Sequence, residues 1–187
     1  MKNNLLQAFR LTLISILVFC GLYSLLILAI AQAAPARGKG ETVIVDNKVV
    51  GWKLLGQKFT DDKYFQGRPS AVDYNASASG GSNKGPTNPG YLKQVKNRID
   101  TFLVHNPEIT RNDIPSDLVT ASGAGLDPDI SVKGASVQIY RIARIRKVPI
   151  AEIRALVQSH IEGPWLGIFG TESVNVLQLN IDLDKSR

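Results

Sequence analysis

LTLISILVFCGLYSLLILAIA, residues 11–31, is a long apolar segment without a charged side chain. At about 1.5 Å per helical residue, its 21 residues extend about 31 Å, close to the hydrocarbon thickness of a bilayer. The segment predicts a single transmembrane helix after a short leader, residues 1–10. A cleaved signal peptide is the alternative, because basic residues precede the segment and small ones follow it. The apolar core of a signal peptide is usually shorter, about 7–15 residues.

The flanking charges predict the orientation of this helix. Lys2 and Arg10 precede it, whereas Arg37 and Lys39 follow it with Glu41 nearby. The positive-inside rule places the N-terminus in the cytoplasm and exports the soluble part, by a small margin. The single cysteine lies inside the apolar segment, so the soluble part can contain no internal disulfide and no cysteine nucleophile.

Residues 32–41 form a small-residue linker, and residues 42–187 have the length of one soluble domain. All 16 acidic residues and all but two of the 22 basic residues lie beyond the apolar segment, so the excess of positive charge there is mild. Nucleic-acid-binding domains usually concentrate basic residues in a stripe. We therefore expect no nucleic acid among the partners. The predicted transmembrane helix makes membrane lipid an expected partner.

The remaining pattern predicts an α+β domain with a small, mostly antiparallel sheet and about three helices. Residues 42–45 and 49–55 are β-branched or apolar, and the turn residues between them predict a hairpin. Helical spacing predicts helices over 91–105, 132–147 and 149–160, with Ser131 capping the second. Strict alternation of leucine and isoleucine with polar residues from Leu177 to Asp184 predicts a final strand.

Two long loops, residues 67–90 and 115–129, interrupt these elements. In the first, 15 of 24 positions are Gly, Ser, Pro or Asn. A loop of this length in a compact domain is usually functional or disordered, and its aromatic neighbours favour an ordered path. Lys84 follows Asn83 and precedes Gly85, which excludes a Walker motif. Binding of a small anion by the backbone N–H groups of the loop remains an alternative.

The side chains offer little catalytic chemistry. His105 and His160 are the only histidines, and each falls at a predicted helix end, where capping or solvation is typical. An exported hydrolase that pairs Ser82 or Ser122 with one of them is an alternative, although no nucleophile-elbow motif is present.

The other charged clusters have ordinary interpretations. Asp127 and Asp129 lack the wider ligand spacing of a calcium loop, and we expect them to form a turn that caps the following helix. We expect Arg141, Arg144, Arg146 and Lys147 to form a solvated face of a helix, with a surface for a partner or an anion as the alternative. No metal site is predicted.

Several ordered motifs carry a family resemblance. They are YFQGRPSA at 64–71, YN at 74–75 and SGGSN at 79–83, then GP at 85–86 and NP at 88–89. DLVTASG at 117–123, GLDP at 125–128, VNVL at 174–177 and LN at 179–180 continue the series. Together they closely resemble the C subunit of the Kdp potassium-transporting ATPase, KdpC, over nearly the whole chain.

The resemblance implies a non-catalytic accessory subunit of a bacterial inner-membrane complex for high-affinity, ATP-driven potassium uptake. Its partners would be the potassium-translocating subunit, the P-type ATPase subunit and a small single-span subunit. The family is described as a catalytic chaperone that raises the ATP affinity of the ATPase subunit in a transient ternary complex. No tightly bound cofactor is implied, and ATP would be met only in that complex.

The resemblance also implies that the loops bind a partner or ligand. The candidate residues are Tyr64, Phe65, Gly67, Arg68, Pro69, Ser70, Ser79, Gly80, Gly81, Ser82, Asn83, Gly85, Asn88, Ser122, Gly123 and Asp127. Two positions depart from the family pattern, since Ala124 stands where serine is expected and Asp129 where histidine is expected. A conflict also arises with the topology, because direct ATP contact requires a cytoplasmic domain and the flanking charges favour an exported one.

Overall fold

The computed structural model describes residues 2–34 and 36–186. The chain divides into two compact units, Met1–Glu41 and Thr42–Arg187. The second unit combines small antiparallel sheets with several helices, so the predicted α+β class is confirmed.

The first unit is a long helix. It comprises α1 (Lys2–Ser15), a π-helical stretch (Ile16–Leu22) and α2 (Tyr23–Ala31). Its 28 residues from Asn4 to Ala31 are long and apolar enough to cross a membrane, and no part of their apolar window is buried. The helix begins earlier than the predicted span, because most of the predicted leader is also helical.

The second unit opens with the predicted hairpin, strands β1 (Thr42–Val45) and β2 (Lys48–Trp52). Asp46 and Asn47 connect the strands with φ angles of 49° and 61°. Two consecutive left-handed residues are typical of a type I′ turn, whose twist matches that of the strands it joins.

Helix α3 (Pro89–His105) starts two residues before its predicted first residue. Asn88 caps it by accepting a hydrogen bond from the Tyr91 N–H, and Pro89 occupies the first turn, where a missing N–H is harmless. The first long loop therefore ends in a helix cap. Short 3₁₀ helices occur at Ala76–Ala78, Arg111–Asp113 and Ser116–Leu118.

The predicted helix over 132–147 is two helices, α4 (Val132–Ser136) and α5 (Ile139–Arg146). Ser131 caps α4 as predicted, since its hydroxyl accepts a hydrogen bond from the Gly134 N–H. Helix α6 (Ile150–Ser159) starts after Pro149, which is its N-cap residue rather than part of its first turn.

The second unit contains a second sheet, against which helices pack. Strands β3 (Asp129–Ser131), β4 (Ile161–Glu162) and β5 (Ser173–Asn175) pair antiparallel in the order β3-β5-β4. The main hydrophobic core packs against this sheet and includes Phe65, Ile130, Ile142, Val174 and Leu179.

The predicted final strand is wrong. Residues Val176–Lys185 form helix α7, capped by Asn175, whose side chain accepts a hydrogen bond from the Gln178 N–H. Val176, Leu177, Leu179, Asn180 and Leu183 are buried, which is the spacing of one helix face. The alternating pattern misled because Asn180 counts as polar and exposed in the sequence but is a buried residue of that face.

Candidate functional site

The two long loops interlock along their backbones. The Gly80 N–H donates to the Ala124 carbonyl (2.9 Å), and the Ser122 N–H donates to the Pro69 carbonyl (3.1 Å). The Ser79 hydroxyl also donates to the Ala124 carbonyl (3.1 Å). The backbone at Ala124 thus receives both donors, so the methyl group in place of an expected serine hydroxyl leaves this contact intact.

Ser70 is the centre of the first loop. Its hydroxyl donates to the Gly125 carbonyl (2.7 Å) and accepts from the N–H groups of Tyr74 (2.9 Å) and Val72 (3.2 Å). The Tyr74 hydroxyl donates to the Arg68 carbonyl, and burial raises the pKa of Tyr74. One serine therefore fixes the course of residues 68–74 and joins them to the second loop.

Gly125 is required where the loops meet. Its φ is +70°, and an added Cβ would lie 2.6 Å from Val72 Cγ2 and 2.9 Å from the Gly80 carbonyl oxygen. Any other side chain would both strain the backbone and push the loops apart.

An ion pair joins the same loops at their other end. Arg68 Nη1 lies 2.9 Å from Asp127 Oδ2, and both side chains are half-buried. Asp127 Oδ1 accepts from the Asp129 N–H (3.1 Å) and so caps a turn, but the following helix is capped by Ser131 and not, as predicted, by this turn. Asp129 in turn accepts from the Asn175 side chain (3.1 Å), and partial burial raises the pKa of Asp129.

The segment that precedes the first loop is held by side chains instead of a neighbouring strand. We call residues 62–66 the clamped segment. Asn180 bonds both the N–H (2.8 Å) and the carbonyl (2.9 Å) of Phe65. Gln138 likewise bonds the N–H (2.8 Å) and the carbonyl (3.1 Å) of Gln66. The two amide side chains thus replace a strand partner on successive residues.

Arginines of α5 complete this arrangement. Arg141 is fully buried and donates to the carbonyls of Asp62 and Tyr64, to Asn106 Oδ1 (3.0 Å) and to Gln138 Oε1 (2.7 Å). Arg146 Nε donates to the Lys63 carbonyl (2.9 Å), so each carbonyl of the clamped segment receives a side-chain donor.

The predicted solvated face is therefore wrong for Arg141 and Arg146, and right for Arg144, which is exposed and paired with Glu108. Sequence reasoning missed Arg141, Gln138 and Asn180 as organising residues. Their spacing was a signal for two of them, since Gln138 and Arg141 are three residues apart and each adjoins a buried isoleucine, Ile139 or Ile142.

The tip of the first loop, residues 82–84, is not tied to the rest of the domain in the way that its base is. Within the described residues no hydrogen bond ties this tip to the rest of the domain, and Asn83 takes a left-handed φ of 51°. Asn83 and Lys84 are exposed, as is Gly85, where an added Cβ would meet only open space. The tip presents polar groups on a base that the interlock makes rigid.

The structure thus sorts the sixteen candidate residues into groups. Phe65 lies in the core, and the Tyr64 hydroxyl donates to Asp184 Oδ2 (2.8 Å), which raises the pKa of Tyr64. Asn88 caps α3. Gly67 lies near Tyr74, where an added Cβ would be 3.7 Å from the Tyr74 hydroxyl. The interlock contains Arg68, Pro69, Ser70, Ser79, Gly80, Gly81, Ser122, Gly123 and Asp127. The end of the loop contains Ser82, which is half-buried, and Asn83 and Gly85, which are exposed.

The histidines are paired with carboxylates. His105 Nδ1 lies 2.8 Å from Asp62 Oδ2, and His160 Nε2 lies 3.0 Å from Asp182 Oδ2. Hydrogen bonds from His160 and above all from Lys185 lower the pKa of Asp182. In the described part of the chain, neither Ser82 nor Ser122 bonds to either histidine, so the alternative hydrolase has no assembled nucleophile and base.

A groove of about 450 Å³ runs beside the first loop. Lys58 and Arg98 supply its positive charge, and Gly67, Pro69 and Tyr74 line one wall. The Arg98 guanidinium already donates to the Val119 carbonyl (3.0 Å). Residues 2–34 and 36–186 contain no cluster of three or more His, Cys, Asp or Glu side chains suited to a metal ion.

Comparison with known proteins gives a consistent result. A family model described as "KdpC: K+-transporting ATPase, c chain" matches residues 5–185. A protein named potassium-transporting ATPase KdpC subunit from Flavobacterium psychrophilum is 51% identical over 183 residues, covering 98% of both chains. Its namesake from Bacteroides fragilis strain YCH46 is 50% identical over 98% of this chain and 97% of its own. That from Caldanaerobacter subterraneus is 42% identical over 98% and 95%.

Proposed function

The chain belongs to the KdpC family, and from this we propose that it is a non-catalytic accessory subunit of a bacterial, potassium-transporting P-type ATPase complex. Its partners are the potassium-translocating subunit, the ATPase subunit and a small single-span subunit. The chain is required for assembly and raises the affinity of the ATPase subunit for ATP. The observation that carries this proposal is the match over nearly the whole chain, apolar helix and both loops included.

We propose that the interlocked loops are the partner-binding surface. The interlock supports this assignment because it is made by residues at the base of the loop, which leaves the polar groups of the tip free to make contacts. A loop with a rigid base loses little conformational entropy on binding. Ser82, Asn83 and Lys84 are the residues expected to touch a partner.

We further propose that the apolar helix spans the inner membrane, with the N-terminus in the cytoplasm and Thr42–Arg187 outside. The flanking charges support this orientation. ATP is then bound by the ATPase subunit alone, and the effect of this chain on ATP affinity is a coupling free energy transmitted through the membrane helices. The groove beside Arg98 is not assigned to ATP in this proposal.

The test is potassium-stimulated ATP hydrolysis by the other subunits, purified together with and without this chain. Omission should abolish this hydrolysis and adding the chain back should restore it, and equilibrium binding should show a higher affinity of the ATPase subunit for ATP with the chain than without it. The chain alone should hydrolyse no ATP. Unchanged potassium-stimulated hydrolysis in its absence would refute the proposal.

Variants of the loop tip test the proposed surface. Asn83→Ala together with Lys84→Ala should weaken assembly of the complex by about tenfold or more, the effect of losing 1.4 kcal/mol of binding free energy. Gln158→Ala, on the exposed face of α6, is the matched control and should assemble normally. Equal behaviour of the two variants would exclude the tip from the interface.

A further inference from the structure

Residues 163–170, GPWLGIFG, present a second surface, which we call the apolar loop. Its four large side chains face solvent, with Trp165 71%, Leu166 70%, Ile168 75% and Phe169 57% exposed. Single exposed apolar residues are ordinary, but four within five positions form a contiguous patch that marks an interaction site.

The apolar loop has a defined conformation of its own. The Trp165 N–H donates to the Phe169 carbonyl (2.8 Å), and the Phe169 N–H donates to the Trp165 carbonyl (3.0 Å). The two rings lie 5.8 Å apart. Leu166 and Gly167 turn the chain with φ angles of 53° and 77°. The backbone of the apolar loop is therefore fixed by its own hydrogen bonds, with its four large side chains exposed.

The chemistry of the apolar loop favours lipid over protein. A protein interface usually contains about one hydrogen bond per 100–200 Å². Between residues 163 and 170 the only polar side-chain group is the indole N–H of Trp165. Lipid tails require no hydrogen bonds, and tryptophan is enriched at the membrane–water interface, where its ring is buried and its N–H remains hydrated.

The bilayer that we propose for the apolar helix is tethered to the same chain, and this inference rests on that proposal. The apolar helix ends at Ala31, and the soluble unit begins at Thr42. The ten residues between them extend at most about 35 Å. Glu162 and Glu172 flank the apolar loop and are exposed, which favours a zwitterionic lipid surface over an anionic one. We propose that the apolar loop inserts Trp165, Leu166, Ile168 and Phe169 into the interfacial layer of the membrane that carries the helix.

The chain contains two tryptophans, Trp52 and Trp165, so each can be observed separately. The full chain is reconstituted into phosphatidylcholine vesicles whose acyl chains carry bromine, a quencher of indole fluorescence. Trp52→Phe leaves Trp165 as the reporter, and Trp165→Phe leaves Trp52 as the matched control. We expect several-fold stronger quenching of Trp165 than of Trp52, with a blue-shifted Trp165 emission.

A loop variant then tests whether the neighbouring side chains drive insertion. Leu166→Asn with Ile168→Ser, in the Trp52→Phe background, alters only exposed positions and should reduce Trp165 quenching to the level of Trp52. Absent quenching of Trp165, or equal quenching of both tryptophans, would overturn the proposal. So would Trp165 emission that shifts only when the other subunits of the complex are added, because that result assigns the apolar loop to a protein partner.

Discussion

The clamped segment and the apolar loop reverse the usual distribution of side chains. At the clamped segment a fully buried arginine lies inside the domain, while in the apolar loop tryptophan, leucine, isoleucine and phenylalanine are exposed. The arginine is tolerated because each of its donor groups faces an acceptor. In the described residues the apolar loop makes backbone hydrogen bonds only within itself, so its backbone needs no partner from the rest of the domain. Polarity alone therefore does not decide which side chains are buried, since a complete set of acceptors permits the burial of Arg141.

The largest effect is expected at the buried arginine. Arg141→Met would leave the carbonyls of Asp62 and Tyr64 and the side chains of Asn106 and Gln138 without their donor. Breaking a buried charged network typically costs about 3–5 kcal/mol. The measurement is urea unfolding of the full chain in detergent, followed by circular dichroism.

Arg144→Met on the same helix is the control for this change. Arg144 is exposed and paired with Glu108, so its loss should cost less than about 1 kcal/mol. Equal costs for the two arginines would contradict the distinction between a buried network and a surface ion pair.

The next largest loss of stability is expected where the two loops interlock. Gly125→Ala should lower the free energy of unfolding by about 1–3 kcal/mol, because of the left-handed backbone and the contact with Val72. Gly85→Ala has open space around its new methyl group and should change stability by less than about 0.5 kcal/mol. If both glycines tolerate alanine equally in the same unfolding assay, the loops are not interlocked as described.

Asp129 should give a smaller, pH-dependent effect. Burial raises the pKa of Asp129, so the folded chain binds its proton more tightly than the unfolded chain. Its contribution to stability is therefore fully present at low pH and is lost as pH rises through the folded pKa. Asp129→Asn should stabilise by less than about 1 kcal/mol at neutral pH, since solvent screens a half-buried group. The gain should vanish in unfolding curves near pH 3; a gain that persists there would have another cause.

The smallest effect is expected in the apolar loop. Leu166→Asn should change the free energy of unfolding in detergent by less than about 0.5 kcal/mol, because the side chain is 70% exposed and asparagine tolerates a left-handed φ. A loss comparable to that of Arg141→Met would show that the apolar loop packs against the domain.

Local chemistry explains which parts of the fold the sequence could predict. The apolar helix, the Asp46-Asn47 turn and the Ser131 cap each depend on neighbouring residues, and each is found as expected. The final helix was missed because the burial of Asn180 depends on Phe65, 115 positions away. No pattern within one segment reveals such a partner.

In the candidate site, too, local features could be predicted from the sequence and long-range contacts could not. The aromatic neighbours of residues 67–90 predicted an ordered path, but not that Ser70 would join Gly125. The role of Arg141 was hidden because arginine on an amphipathic helix is usually solvated. Its burial requires acceptors from residues 62 to 64, which only the tertiary fold supplies.

The central claim, that the soluble unit acts from outside the cell membrane without touching nucleotide, is tested most directly by cysteine labelling. Ser77→Cys in a Cys20→Ser background places one thiol at an exposed position of the first loop. Asn4→Cys in the same background is the control for the opposite end of the helix. In intact cells, a membrane-impermeant maleimide should label the Ser77→Cys variant at once and the Asn4→Cys variant only after lysis. Labelling of the Ser77→Cys variant only after lysis would place the domain in the cytoplasm and contradict the claim.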